Sequence, residues 1–182
     1  MYANTSQKNR VTNDCEFNYL GAVTADIILY TENRPMLPAD ILYGERLMIP
    51  DLIALNGNHW RKIFTIFAKL VSPSDDWRGY RDGFLLQEKE AIYFGDALHE
   101  MLHETRNETG DVIGNTTVKI HLISGKSTWD RLGVNLEEFQ PLDPQQRLWV
   151  KDNMICMPYL DYRQFPNSLI EIARNYLIKA TL

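Results

Sequence analysis

The sequence predicts an α/β fold, a three-layer α/β/α domain with a short, mostly parallel central sheet, and three observations carry that prediction. Short β-branched runs of strand length alternate along the chain with longer segments whose apolar residues recur at helical spacing. Turn chemistry rich in Gly, Pro, Asn and Asp separates these segments. Finally, 182 residues with a hydrophobic fraction of 45% suit a single domain over 1–182 that buries a core without staples. Residues 1–15 are polar and are expected to be a loosely ordered N-terminal segment.

The elements follow in order. Val23-Thr24-Ala25-Asp26-Ile27-Ile28-Leu29-Tyr30 reads as a buried strand that stops at the loop Thr31-Glu32-Asn33-Arg34-Pro35. The stretch from Pro35 to Pro50, with three prolines, suggests no regular element. Asn56-Gly57-Asn58 then caps a helix from about His59 to Val71, whose stripe is Trp60, Ile63, Phe64, Phe67 and Leu70. Ser72-Pro73-Ser74 ends it, and Asp75 to Gly83 reads as turns leading to a strand at Phe84-Leu85-Leu86. A second helix is expected from Gln87 to Thr105, with a polar loop over Asn107 to Asn115. Thr117 to Ile123 reads as the next strand, entering Ser124-Gly125-Lys126 and a short helix, Ser127 to Leu132, closed by Gly133. A short helix around Gln145 to Val150 follows, then a strand over Asn153 to Met157 that ends at Pro158. The last helix starts at Ser168, where Ser168 and Glu171 make a capping box, and carries Leu169, Ile172, Ala173, Tyr176 and Leu177 on one face.

The formal net charge of −5 favours solubility and lays down no footprint for nucleic acid, so that partner is disfavoured without being excluded. No stretch approaches the ~20 apolar residues of a membrane span, and the N-terminus lacks the apolar core of a signal peptide. A cytoplasmic protein with no membrane contact is expected. Cys15 and Cys156 stand apart, without metal-ligand spacing, and read as ordinary thiols of a reducing compartment. A homodimer is compatible with the sequence, and no cofactor is expected.

The sharpest motif is His99-Glu100-Met101-Leu102-His103, an HExxH string on a predicted helix. Histidines four apart share a face and can bind zinc, with the glutamate activating the bound water. Against this, at ~100° per residue Ala91, Phe94, Leu98, Met101 and Leu102 cluster as the buried face, with His99 roughly 110° and His103 roughly 150° away. Both histidines therefore point towards water. The sequence that follows, Glu104-Thr105-Arg106-Asn107, supplies no third ligand. The expectation is no metal, with His99, His103 and Glu100 as base forming a minority zinc-hydrolase reading.

Ser124-Gly125-Lys126-Ser127-Thr128 resembles the tail of a phosphate loop, but Ile120 stands where the full motif needs a glycine. What survives is an anion held by helix-start amides beside Lys126, against the plainer reading that Ser124 or Ser127 caps a short helix. Tyr159-Leu160-Asp161-Tyr162-Arg163-Gln164-Phe165 is an aromatic and polar loop after a strand, where open α/β sheets bind ligands. By that rule the candidate ligand site gathers Glu32, Asn33, Arg34, Ser124, Lys126, Asp161, Tyr162 and Arg163. No catalytic residue is nominated.

Taken whole, the chain looks like one of the small uncharacterised bacterial families known only as domains of unknown function. Its element order, from the Glu32-to-Pro35 loop to the Met157-to-Arg163 segment and last helix, is similar to the uracil-DNA glycosylase-like fold. That family carries a Pro-containing water-activating loop after its first strand and a His-Pro-Ser-type loop after its last. Here the matching places hold Thr31-Glu32-Asn33-Arg34-Pro35 and Pro158-Tyr159-Leu160-Asp161-Tyr162, without the catalytic Asp or the loop His. The resemblance implies the fold and the position of a cleft, not the activity. The functional expectation is a non-catalytic binding or interaction protein on such a degenerate fold. The alternatives are an enzyme or binder of nucleotides or nucleobases using the strand-end cleft, and the zinc hydrolase.

Overall fold

The computed structural model describes residues 18–22, 24–38, 47–96 and 119–180. They form, in order, β1 (Tyr19–Gly21), β2 (Ile27–Tyr30), α1 (Ile49–Val71), α2 (Trp77–Gly83), β3 (Glu90–Tyr93), β4 (Ile120–Ser124) and α3 (Lys126–Arg131). A 3-10 turn (Leu136–Glu138), β5 (Gln140–Pro141), β6 (Trp149–Lys151), β7 (Met154–Met157) and α4 (Asn167–Ala180) complete the chain.

The β-branched and aliphatic runs build the middle of one sheet, in the order β1-β3-β2-β4-β7-β6-β5. The ladders β3–β2, β2–β4 and β4–β7 are parallel, while β1–β3, β7–β6 and β6–β5 are antiparallel. The α/β class holds, but the expected short, mostly parallel sheet does not: among the described residues it is mixed and seven-stranded. The added antiparallel strands β1, β5 and β6 are only two or three residues long. Such strands are defined by backbone pairing with distant partners, so they leave no periodic trace in the sequence.

Alternate strand residues feed two apolar clusters. Leu29, Ile92, Leu122, Ile155 and Met157 pack with Ile63, Phe64 and Phe67 of α1 and Leu169, Ala173 and Leu177 of α4. On the other face Ile28, Tyr30, Tyr93, Ile123 and Cys156 gather with Phe139, and Trp129 and Leu132 pack against them. The amphipathic stripes predicted for α1 and α4 are thus the surfaces that bury the first face.

Several local readings change. Helical backbone begins at Ile49, with Pro50 in the first turn, and is interrupted at Gly57, where φ is 71° and ψ −155°. Gly57 meets nothing within 4 Å of a built Cβ, so the positive φ, not crowding, calls for glycine there. The segment after it is the helix expected from His59. Trp77–Gly83 is a helix rather than turns, because the Asp76 carboxylate caps it by accepting from Gly79 N–H at 3.0 Å.

The strand expected at Phe84-Leu85-Leu86 is a turn, with Leu86 at φ 65°. The strand lies instead at Glu90–Tyr93, inside the stretch read as a helix from Gln87. Every residue of β3 is buried, and a run buried on both faces has no period by which strand and helix differ. The helix expected over Gln145–Val150 does not form. Asp143 accepts the Arg147 and Leu148 amides at 2.7 and 2.6 Å, folding a loop that hands the chain to β6. In α4, Ser168 lies inside the helix rather than at its cap, and Pro166 O receives the Leu169 and Ile170 amides. No helix among the described residues is long and apolar enough to cross a membrane.

Candidate functional site

The parallel strands end together: Tyr30 pairs with both Tyr93 and Ile123, and Ser124 with Met157. From β2 the chain goes to β3 on one side, whereas β4 lies on the other and leads to β7. Loops leaving β2 and β4 therefore run to opposite sides of the sheet, the arrangement beside which open α/β sheets bind ligands at the carboxyl ends of their strands.

Two hydrogen-bonded links span this place. Glu32, after β2, accepts the Ser127 hydroxyl of α3 at 2.6 Å. Asn33 donates its side-chain N–H to the Tyr159 hydroxyl at 2.8 Å, and that hydroxyl shares a 2.8 Å hydrogen bond with His59 Nε2. The Tyr159 and His59 rings stack at 5.8 Å with 30° between their planes. Beneath them Gly125 has φ 86°, and a Cβ there would lie 3.3 Å from Tyr159 Cδ2. The positive φ favours glycine at this point, and the Tyr159 ring would have to give slightly to admit a Cβ. Burial pushes the Tyr159 phenol pKa above its ordinary value, with the Asn33 hydrogen bond acting the other way.

The scaffold holds the loop that presents Glu32 and Asn33. Thr31 N–H donates to Tyr93 O at 3.2 Å, and the Arg131 guanidinium donates to Thr31 O, Phe94 O and Gly95 O. Further along, Asn56 brackets Met36 by accepting its N–H at 2.6 Å and donating to its carbonyl at 2.9 Å. These bonds tie the loop to α3, β3 and α1.

Of the residues predicted for the site, Glu32, Asn33 and Lys126 lie at these strand ends. Lys126 is exposed at the start of α3. Arg34 turns to β1 and β3, donating to Asn18 at 2.8 Å with its guanidinium 5.7 Å from the Phe94 ring centre. Ser124 is buried and donates to Pro158 O at 3.4 Å, a joint between strand ends rather than a ligand contact. Asp161 forms an ion pair with Lys62 at 2.6 Å, and this bond and the Arg163 amide lower its carboxyl pKa. Tyr162 and Arg163 are exposed, and the Tyr162 ring lies under Lys69 at 4.9 Å. His99, Glu100 and His103 lie outside the described residues. So do Cys15 and most of the helix expected from Gln87.

His59, Ser127 and Tyr159 were not nominated from sequence. Their signals were weak: His59 follows the Asn56-Gly57-Asn58 break, and Tyr159 opens the aromatic loop. Their joining depends on contacts between residues about a hundred positions apart.

The neighbouring strands β2 and β4 carry a buried dyad. Tyr30 and His121 share a 2.8 Å hydrogen bond through Nδ1, while His121 Nε2 is buried without a partner among the described residues. Burial, with Lys119 adding to it, pushes the imidazole pKa down to about 4. Burial lifts the Cys156 thiol to about 12, which makes it an inert core residue. Among the described residues no group of three or more His, Cys, Asp or Glu side chains is placed to hold a metal ion.

A model described as a family of unknown function (DUF6942) matches residues 18–178. No curated protein and no solved structure matches the chain.

Proposed function

This chain belongs to the family of unknown function DUF6942, and from that premise we propose that it is a binding protein for a small polar ligand of nucleobase or nucleotide class. One observation carries the reading: the Asn33–Tyr159–His59 and Glu32–Ser127 links meet across the strand ends at the divergence of β2 and β4. The His59 ring, on which Tyr159 stacks in the free protein, suits a planar ligand, and the Asn33 amide and Glu32 carboxylate suit its hydrogen-bonding edge. Lys126 stands beside them as a cation for a phosphate or other anion.

The finer fold reading belongs to the same proposal. Apolar clusters on both faces of the sheet support a three-layer α/β/α arrangement. The parallel run β3-β2-β4-β7 supports the likeness to the uracil-DNA glycosylase-like fold in element order. The likeness extends to a cleft between the loops at Asn33 and Tyr159, without the acid and histidine that glycosylase chemistry uses there. A reducing cytoplasmic setting accords with the free, buried Cys156.

The test is titration of free nucleobases, nucleosides and nucleotides into the protein, followed by backbone amide resonances and thermal unfolding. A ligand at a hundred times its Kd stabilises by about 2.7 kcal/mol, a readily measured rise in Tm. The expected binders shift the resonances of Glu32, Asn33 and Lys126 and lose affinity in Asn33→Ala. No response from any compound at millimolar concentration would overturn the reading.

A further inference from the structure

We infer that the strand-end crevice reads a hydroxyl group of its ligand, and that the Tyr159 phenol occupies that hydroxyl's place in the free protein. This deepens the binding reading above and rests on it. The Tyr159 oxygen lies 2.8 Å from Asn33 Nδ2, which donates to it, and 2.8 Å from His59 Nε2. The roles across the Tyr159–His59 bond follow the imidazole tautomer: the hydroxyl donates to Nε2 or accepts from it. A hydroxyl suits both cases, because one oxygen accepts from Asn33 and can donate to or accept from His59. An ammonium has no lone pair to offer Asn33.

A second hydroxyl lies nearby, that of Ser127, which donates to the Glu32 carboxylate at 2.6 Å. Asn33 with His59 in one place, and Glu32 in the other, are thus each met by a hydroxyl of the protein itself. A ligand with neighbouring hydroxyls, such as the ribose of a nucleoside, offers the matching chemistry.

The surroundings indicate how exchange would occur. Thr31 is tied to Tyr93 and Arg131, His59 sits on α1, and Asp161 is held to Lys62. The backbone on each side is anchored, so the movable part is the Tyr159 side chain, which is only half-buried. Rotation of that ring off Gly125 frees Asn33 and His59 together and leaves both loops in place.

The experiment compares the four common ribonucleosides with their 2′,3′-dideoxy counterparts and the free bases, by calorimetry on wild type, Tyr159→Phe and Asn33→Ala. Wild type is expected to bind at least one ribonucleoside about tenfold or more tighter than its dideoxy form, the discrimination a polar pocket shows against a lost hydroxyl. Tyr159→Phe keeps the ring but removes the competing oxygen, and is expected to bind the ribonucleoside about fivefold tighter. Asn33→Ala is expected to reduce the preference for ribose. Equal binding of ribo and dideoxy compounds would overturn the inference while leaving nucleobase binding intact. Weaker binding by Tyr159→Phe would also overturn it, since the phenol would then be a ligand contact. Failure of every compound to bind wild type would remove the underlying reading as well.

Discussion

Between pH 7 and 5, acid should destabilise this protein through His121. The side chain is 2% exposed on the central strand β4, bonded through Nδ1 to Tyr30, with its other nitrogen buried and unpartnered among the described residues. Its folded pKa is pushed down to about 4, against 6.5 in the unfolded chain. Above pH 6.5 the imidazole is neutral in both states and contributes no pH dependence. Below that value the unfolded chain takes up a proton that the folded protein refuses, so stability falls with pH until the folded group also titrates. At about 1.36 kcal/mol per pH unit the loss is about 2 kcal/mol on going from pH 7 to 5 and about 3 kcal/mol by pH 4, and it levels off below the folded pKa. Urea unfolding at pH 7, 6 and 5, on wild type and His121→Gln, isolates the effect. Glutamine keeps a polar partner for Tyr30 but does not titrate in this range. The stability difference between the two proteins should shift by about 2 kcal/mol in favour of the variant on acidification. An unchanged difference from pH 7 to 5 would refute the reasoning, whatever glutamine costs at neutral pH.

Glu90 should behave in the opposite sense. It is 1% exposed and receives hydrogen bonds from Tyr80 and the Leu86 amide, yet burial raises its carboxyl pKa. Its contribution is present at low pH and is lost as pH rises through the folded pKa, so Glu90→Gln should stabilise at pH 8 relative to pH 4 in the same urea assay. Phe67, 0% exposed between α1 and the sheet, should cost about 3–5 kcal/mol as Phe67→Ala, with a clear fall in Tm; a change below about 1 kcal/mol would contradict its place in the core. Metal analysis of untagged protein should find no near-stoichiometric zinc. Zinc retained by wild type and lost in His99→Ala and His103→Ala would revive the hydrolase reading.

What the sequence determined by itself is what local periodicity and turn chemistry can carry. The stripes of α1 and α4, the strands at Ile27–Tyr30 and Met154–Met157, and the turn at Gly125 are each written in a few adjacent residues. The rule that ligands gather at strand ends drew attention to Glu32, Asn33 and Lys126, which lie just after β2 and β4. It also drew in Arg34 and Ser124, whose roles differ because their side chains turn to Asn18 and to Pro158.

Only the tertiary structure decided the rest, because the deciding contacts are far apart in the chain. β3 is a strand because β1 and β2 pair with it, although its own residues fit a buried helix equally well. The sheet is mixed because short strands at both edges pair antiparallel, a matter of backbone register rather than side-chain pattern. His59 and Tyr159 meet because α1 and the loop after β7 come together, across a separation of 100 residues. A hydrogen bond of that span leaves no mark on the local sequence, and it is such bonds that bring the separate strand-end loops together.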